Sequence, residues 1–515
     1  MQAPPRPPTR SLRLLVVGLG LFSLVTILSA YHIADGDLWG KLAIGAHFWH
    51  FGTVPASDYF AFTPVLPQYI EHEWGAGAIF FAVLKWFGPE GLMLLKITLA
   101  CGAMIAAMAT GRRVGCSSNA LFVLAVLVVP CLMIGYIPVI RSHAFTYCFF
   151  AITLLGLEAI KAGSRWPIFV LPAMMLVWSN VHGGFVAGLG AIFIYTGFAI
   201  MTRRQVRFML LTAIACALVT LVNIYGLKFW AYLIPAILNK RPRIAEWQPL
   251  PIFANDLFQG FRLLFVFVVL LLIVTWRRTE KKSWAGLVML GVTALLAWRS
   301  RRHAPFFAVA TLAFIGPFLQ SGFAMVALPW KAKIRPAFAV AILYGAIAIY
   351  VALFFLPRAS WIVLAPVGHD PVREMDILSR AGVSGNLATP FGWGCYCAWR
   401  LHPAIKISMD GRYETTYPEA TFQMNNDFYD KQGTNWDRLI REYPVDFVLL
   451  GLNEERLRPE DLYDHGYVLI WMDEGQSALL ALEKHAAHLK QVVSELPPTT
   501  INPLDASIPD KWWTR

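Results

Sequence analysis

The apolar residues of this chain fall into long, nearly unbroken runs separated by short polar stretches. Eleven runs approach the length of a membrane-crossing helix: 11–31, 91–110, 119–136, 142–160, 166–182, 185–201, 208–224, 261–276, 283–298, 304–320 and 337–357. A further stretch, 74–88 (WGAGAIFFAVLKWFG), is shorter, and Lys85 with two tryptophans suits a helix lying in the membrane surface. After Pro357 the pattern changes to turn signals, charges and short alternating runs. There AIKISMDGR (404–412) and VDFVLLG (445–451) read as strands and TNWDRLIREY (434–443) as an amphipathic segment. YVLIWMD (467–473) and SALLALE (477–483) read as a hairpin around Glu474-Gly475-Gln476. The expected fold is a polytopic α-helical membrane protein of about eleven transmembrane helices with a C-terminal α/β domain. Its parts are an N-terminal tail (1–10), a membrane domain (11–357) with a first loop at 32–90, and a globular domain (358–515).

Composition agrees with a membrane chain. Of 515 residues, 57% are hydrophobic and 15% charged, against roughly 25% charged in soluble proteins. The net charge of +12 does not point to nucleic acid, because the basic residues sit in short clusters between apolar runs. Charge parity then sets orientation. With 74–88 in the surface and the N-terminus inside, the inner loops carry Arg112/Arg113, Lys161/Arg165, Arg203/Arg204/Arg207, Arg277/Arg278/Lys281/Lys282 and Lys331/Lys333/Arg335. If 74–88 crossed, all these clusters would face outward. The C-terminal domain is therefore expected outside. Arg6, Arg10 and Arg13 precede a first run long enough to span, so it reads as a retained anchor, not a cleaved signal. Cys101, Cys116, Cys131, Cys148 and Cys216 read as packing residues, and Cys395/Cys397 are too close for a relaxed disulfide in a helix.

With that orientation the unusual polar residues collect on the outer side, and ionisable groups at a membrane mouth suggest a site. ADGDLWGKLAIG (34–45) follows the first run and carries Asp35 and Asp37. Asp35 suits a helix N-cap, and Asp37 is the candidate general base toward an acceptor hydroxyl. The loop ends in Glu71-His72-Glu73-Trp74, whose first three residues are either a polar rim or ligands for a metal such as Mn or Zn. WSNVHGGFVAGLG (178–190) offers Asn180 and His182 at an outer helix end, with Gly184 and Gly188 for close packing. WRSRRHAPFF (298–307) places Arg299, Arg301, Arg302 and His303 outside, against the positive-inside trend, as a phosphate or diphosphate site that Arg141 and His143 extend. No nucleotide phosphate loop and no H-E-x-x-H zinc motif is present in the sequence.

These residues resemble those of the GT-C glycosyltransferase superfamily, which includes protein O-mannosyltransferases, lipid A aminoarabinose transferases and oligosaccharyltransferases. The chain is most similar to a group of bacterial polytopic proteins that combine D-x-D-L-W, H-E-W, W-x-N-x-H-G-G, E-W, R-H and D-G-R. Here these read Asp35–Trp39, His72–Trp74, Trp178–Gly184, Glu246-Trp247, Arg302-His303 and Asp410–Arg412. The resemblance implies a multi-pass protein of a bacterial cytoplasmic (inner) membrane, with its C-terminal domain outside. It implies transfer of a sugar from a polyprenyl phosphate or diphosphate to a glycan, lipid or protein acceptor, with inversion. The first-loop acid then acts as base or as a metal-linked acid, and Asp37 is preferred because DLWGKLA matches the oligosaccharyltransferase run of acid, aromatic and basic residue. The cofactor stays open between a divalent metal (Mn or Mg) and none, and the D-E form of the mannosyltransferases is missing. Glu246 and Trp247 join the substrate-binding candidates by this resemblance, and Trp393, Asp410 and Arg412 either help select the acceptor or pack a turn.

Acid and guanidinium groups are thus expected to face one lipid headgroup. Two other classes compete. A lipid or glycolipid flippase would show inverted repeats, which the sequence lacks. A non-catalytic assembly scaffold would tolerate loss of the Asp37 carboxylate.

Overall fold

The computed structural model describes residues 10–496 apart from 138–139, 239–244, 327–335, 366–368, 454 and 474–475. The Pro-rich tail before Arg10, the Lys331/Lys333/Arg335 cluster and the predicted turn residues Glu474 and Gly475 lie outside the described residues. In chain order the helices begin with α1 (Arg10–Ala30), α2 (Gly36–Phe51), α3 (Trp74–Arg113), α4 (Ser118–Leu132), α5 (His143–Lys161), α6 (Pro167–Val181) and α7 (Phe185–Thr202). They continue as α8 (Val206–Val219), α9 (Leu227–Leu238), α10 (Gln259–Thr275), α11 (Trp284–Arg299), α12 (Ala304–Phe314), α13 (Gly316–Val326) and α14 (Pro336–Phe354). The C-terminal region adds α15 (Val372–Ala381), α16 (Gly394–Leu401), α17 (Glu419–Asp430), α18 (Arg438–Glu442) and α19 (Glu483–Glu495). Its strands are β1 (Gly385–Ala388), β2 (Ile405–Ile407), β3 (Phe447–Gly451), β4 (Tyr467–Asp473) and β5 (Ser477–Leu482).

The chain forms two compact units, one of residues up to His32 plus Met93–Trp361, the other of Ile33–Leu92 plus residues from Ile362 onward. Among its described residues the first has helices and no strand. Each of the eleven predicted runs is helical over most of its length. By length and composition, though, six helices among the described residues can cross a membrane, or seven if α12 and α13, bent by 59° about Ile315, are one span. α6, α8, α10 and α11 are shorter apolar helices, and α9 matches no predicted run. Large apolar side chains such as Leu14 and Val17 on α1, Leu263 and Ile273 on α10, and Ile349 and Leu353 on α14 are exposed. Such a surface is stable against lipid and not against water. The protein is thus a multi-pass membrane protein.

Inside this unit α1 packs on α14, where Gly20 lets the Tyr344 ring approach and the Tyr344 hydroxyl donates to Phe122 O at 2.6 Å. Lys96 is fully buried and donates to Leu28 O (2.9 Å) and Tyr31 O (2.7 Å). These are carbonyls of the last turn of α1 and of the residue just after it, which the helix itself cannot satisfy. At the other helix ends, buried Glu158 of α5 accepts from Tyr195 of α7 (2.9 Å) and from Ser283 before α11 (2.8 Å), so one carboxylate ties three helices.

In the second unit α3 begins, and it breaks at Gly88. That residue has φ of 65°, and Pro89 supplies no N–H. The break coincides with the predicted division between 74–88 and 91–110. The five strands form a mixed sheet of order β2-β1-β3-β5-β4. β1 lies parallel to β2 and β3, with Leu387 opposite Ile407 and Phe447. β5 runs antiparallel to β3 and β4, which is the predicted hairpin. The first loop is built into this sheet. Ile407 N donates to Phe60 O (2.9 Å) and Phe62 N donates to Ile407 O (3.0 Å), so residues 60–62 add a short parallel bridge outside β2. Leu66 N donates to Thr416 O (2.8 Å) and the Thr421 hydroxyl donates to Pro64 O (3.0 Å).

Within the same unit α2 crosses the first part of α3 at Gly45 and Gly77. A side chain at position 77 would start 2.5 Å from Lys41 O. Gly77→Val is expected to destabilise the protein by ~1–3 kcal/mol through overpacking, whereas Gly190→Ala, which meets no atom within 4 Å, is expected to be neutral. Thermal unfolding of the full chain in detergent checks the pair.

Candidate functional site

The predicted site residues gather in two clusters, one in each unit. In the sheet-containing unit, Asp35 is the N-cap of α2, and its carboxylate accepts the Asp37 N–H at 3.1 Å. That is the capping role that Asp residues fill before a helix. Asp37 stands in the first turn of α2. It approaches the D-G-R loop: its Oδ1 lies 3.5 Å from where a Cβ on Gly411 would sit. Trp39, fully buried, packs edge-on to Tyr396 of α16 at 4.8 Å between centroids. Helix α16 holds Cys395 and Cys397, both free thiols.

Around Asp37 the loop carries two ion-pair triads. The Arg412 side chain is buried between Asp58 and Asp410, at 2.5 Å from Asp58 Oδ1 and 2.6 Å from Asp410 Oδ2. Its guanidinium lies 4.9 Å from the Phe60 ring centroid and 5.8 Å from that of Tyr69. Burial opposes its charge, but Asp410 and Asp58 outweigh that and hold its pKa well above the ordinary value. Lys41 lies 2.6 Å from Glu71 Oε1 and 3.0 Å from Glu73 Oε2. The second oxygen of Glu71 accepts the Tyr69 hydroxyl at 2.9 Å. Burial works against the charges of Lys41 and Glu71 alike. Their mutual attraction prevails, raising the lysine and lowering the glutamate.

Glu71, His72 and Glu73 do not fit a metal. The lysine ammonium stands between the two carboxylates, in the place a cation would take, and His72 Nε2 is 3.8 Å from Glu73. Among the described residues no group of three or more His, Cys, Asp or Glu side chains is arranged to hold an ion.

In the helical unit the structure joins four sequence motifs. Glu246 receives Arg141 (3.0 Å) and Arg302 (3.5 Å), one on each carboxylate oxygen. Arg302 stacks 4.4 Å above the Trp247 ring. Its Nη2 is 3.5 Å from His182 Nε2. The Gly184 N–H donates to His182 Nδ1 at 2.8 Å, and Thr146 lies 2.8 Å from the same atom. Trp178 Nε1 in turn donates to Thr146 at 2.8 Å. With Nδ1 accepting, the neutral imidazole carries its proton on Nε2, toward Arg302. Two donors so close favour an anion that accepts from both. A side chain at Gly184 would start 2.6 Å from Thr146 and 2.7 Å from His182, so glycine there is what lets the chain close around the histidine. His143 stands with its ring centroid 6.3 Å from that of His182.

The remaining predicted residues sit at the edge. Arg301 lies 5.7 Å from the Phe258 ring centroid, and its backbone N–H donates to Gln248 O at 3.1 Å. His303 lies 6.4 Å from Trp247 and 6.0 Å from Phe306 between ring centroids. Asn180 donates to Leu176 O (2.9 Å) and Val222 O (3.1 Å), which makes it a helix-end clamp. Arg299, at the end of α11, is exposed.

The oligosaccharyltransferase of Archaeoglobus fulgidus in its apo form is similar over 86% of this chain and 70% of its own, with a TM-score of 0.61 at 12% identity. The same enzyme tethered to an acceptor peptide containing the NVT sequon gives 0.60, at 12% identity over 86% and 69%. The mycobacterial arabinofuranosyltransferase AftD gives 0.56 at 12% identity, over 91% of this chain but 40% of its own length. The fold is GT-C.

No family model and no curated protein matches the sequence. The GT-C likeness therefore rests on backbone architecture. Sequence reasoning missed Asp58 and Tyr69, which lie in the middle of the first loop with no motif around them, and Thr146, three positions past the Arg141-Ser142-His143 run that was singled out. Lys41 was visible as the basic residue of DLWGKLA, but not its partners.

The Lys41 triad makes a pH prediction. Glu71, lowered from 4.5 in the folded state, contributes stability that is present above that value and lost as pH falls through the folded one. Unfolding midpoints measured downward from about pH 7 are expected to hold until roughly pH 4.5 and then drop. Glu71→Gln is expected to start lower and to lose part of that acid limb.

Proposed function

We propose that this protein transfers a sugar from a polyprenyl-phosphate or polyprenyl-diphosphate donor to an acceptor at the outer face of the membrane. What supports the reading most is the convergence of Arg141, Glu246-Trp247, Arg302 and His182 into one donor-rich cluster within a GT-C fold. The solved neighbours are themselves an oligosaccharyltransferase and an arabinofuranosyltransferase. The cluster carries two guanidinium charges against one carboxylate. It is thus a net cation beside an indole face, suited to the phosphate of a lipid headgroup.

In this reaction the acceptor hydroxyl attacks the anomeric carbon as Asp37 takes its proton. The bond from that carbon to the phosphate oxygen breaks, and the electron pair leaves with the polyprenyl phosphate. Attack opposite the leaving group inverts the anomeric centre. Asp37 is chosen over Asp35 because DLWGKLA, which begins at Asp37, resembles the oligosaccharyltransferase run of acid, aromatic and basic residue.

Purified protein incubated with polyprenyl-phosphate sugars and candidate acceptors tests this. Asp37→Ala is expected to lower turnover by about a hundredfold or more, as for loss of a general base. Arg302→Ala is expected to raise the donor KM by roughly ten- to a hundredfold, as for loss of a charge-assisted contact. Equal sugar release by wild type and Asp37→Ala would remove Asp37 as the base. No release from any polyprenyl-phosphate sugar would sink the transferase reading.

A further inference from the structure

The sheet-containing unit has an acidic first loop that reads, in sequence, like a place for a divalent ion. Its four clustered carboxylates are already paired. Asp58 and Asp410 hold Arg412, and Glu71 and Glu73 hold Lys41. These side chains are nearly shut off from solvent: Asp58, Asp410 and Glu71 keep 1–2% of their side-chain surface, and Arg412 keeps 6%.

The oxygens are accounted for one by one. Asp58 Oδ2 accepts the backbone N–H groups of Phe60 (3.1 Å) and Ala61 (2.8 Å), and its Oδ1 faces Arg412. Asp410 Oδ1 accepts Arg412 N and Nε, both at 3.0 Å, and Oδ2 accepts Nε (2.9 Å) and Nη2 (2.6 Å). Divalent Mg or Mn needs about six oxygen-type ligands in open geometry. To enter here it would first expel a guanidinium or an ammonium from a buried pair of carboxylates and leave that charge without its partners.

The two cations also stand where they fix the proposed base. Lys41 follows Asp37 by one turn of α2, and Arg412 follows Gly411, which lies against the Asp37 carboxylate. We propose that Lys41 and Arg412 are resident cations: positioning residues that fill the carboxylate pairs of the first loop in place of a divalent ion and set the backbone on both sides of Asp37. The link to Asp37 rests on the transferase reading; the occupancy of the four carboxylates does not.

The test uses the full chain in detergent, stripped with chelator and titrated with MnCl2 alone while free Mn2+ is followed by paramagnetic resonance. Wild type is expected to take up no stoichiometric Mn2+ through these residues below about millimolar concentration. Arg412→Ala, which leaves Asp58 facing Asp410, is expected to gain Mn2+ binding by at least about tenfold, and Lys41→Ala likewise at Glu71 and Glu73. Lack of uptake by wild type supports the assignment even if a variant fails to fold, and so does uptake that survives Asp58→Asn, Asp410→Asn and Glu71→Gln. One Mn2+ per chain at micromolar affinity, abolished by any of those three substitutions, would overturn it. Because Mn2+ binding is read without substrate, absence of glycosyl transfer would defeat the previous proposal and leave this result standing.

Discussion

The burial of Arg412 between Asp58 and Asp410 is the constraint on which the sheet-containing unit depends. Asp58 comes from the first loop and Asp410 from the end of β2, some three hundred and fifty residues later. A guanidinium removed from water needs both carboxylates, and each carboxylate needs the guanidinium. Removing one partner of such a buried set costs about 3–5 kcal/mol, because a bare charge is left inside. The sequence therefore cannot keep the α/β fold and release the loop cheaply. The pairing of residues 60–62 beside β2 places Asp58 within reach of Arg412, and the Phe60 and Tyr69 rings close over the cation. What begins as a connection after a membrane helix becomes part of a globular core.

The helical unit solves a different problem with related chemistry. Its surface is apolar, so polar groups must find partners inside or at its ends. Lys96 does so by capping α1, and Glu158 by accepting from two other helices. The Arg141–Glu246–Arg302 set is unlike these two, because among the described residues its charges do not cancel. One carboxylate between two guanidinium groups leaves a net positive charge, held beside Trp247 and an imidazole whose tautomer is set by the Gly184 N–H. That residual charge is what the proposed binding of a phosphate-bearing headgroup draws on.

Much of this was legible in the sequence, for physical reasons. Long apolar runs can only be buried helices or membrane helices, so the helical regions followed directly. Strands β3, β4 and β5 showed as short apolar runs between turn residues. β1 and helix α16 did not, because GNLA and GCYCAWRL are too short to show a period. The number of crossings was harder to read. Hydropathy does not register the bend at Ile315 or the shortness of α6 and α8, and α9, with Lys228 and Pro235 inside it, hid between two clear runs. The motifs Trp178–Gly184, Glu246-Trp247 and Arg302-His303 were each weak alone, yet they meet in space. Asn180 and Arg299, singled out beside them, serve a helix end and the exposed end of α11. The acids at 71 and 73 were left open between a polar rim and metal ligands, because the sequence could not show that Lys41 comes back to them.

The central claim is that the first loop and the C-terminal sheet are one folded body, locked by a buried cation. A double-mutant cycle between Asp58→Asn and Arg412→Met, read from unfolding of the full chain, tests it most directly. A coupling energy of about 2–3 kcal/mol, with the double variant far less damaged than the sum of the singles, is the expected result. Additive effects within about 0.5 kcal/mol would mean that the two side chains do not depend on each other, and the account of this unit would be wrong.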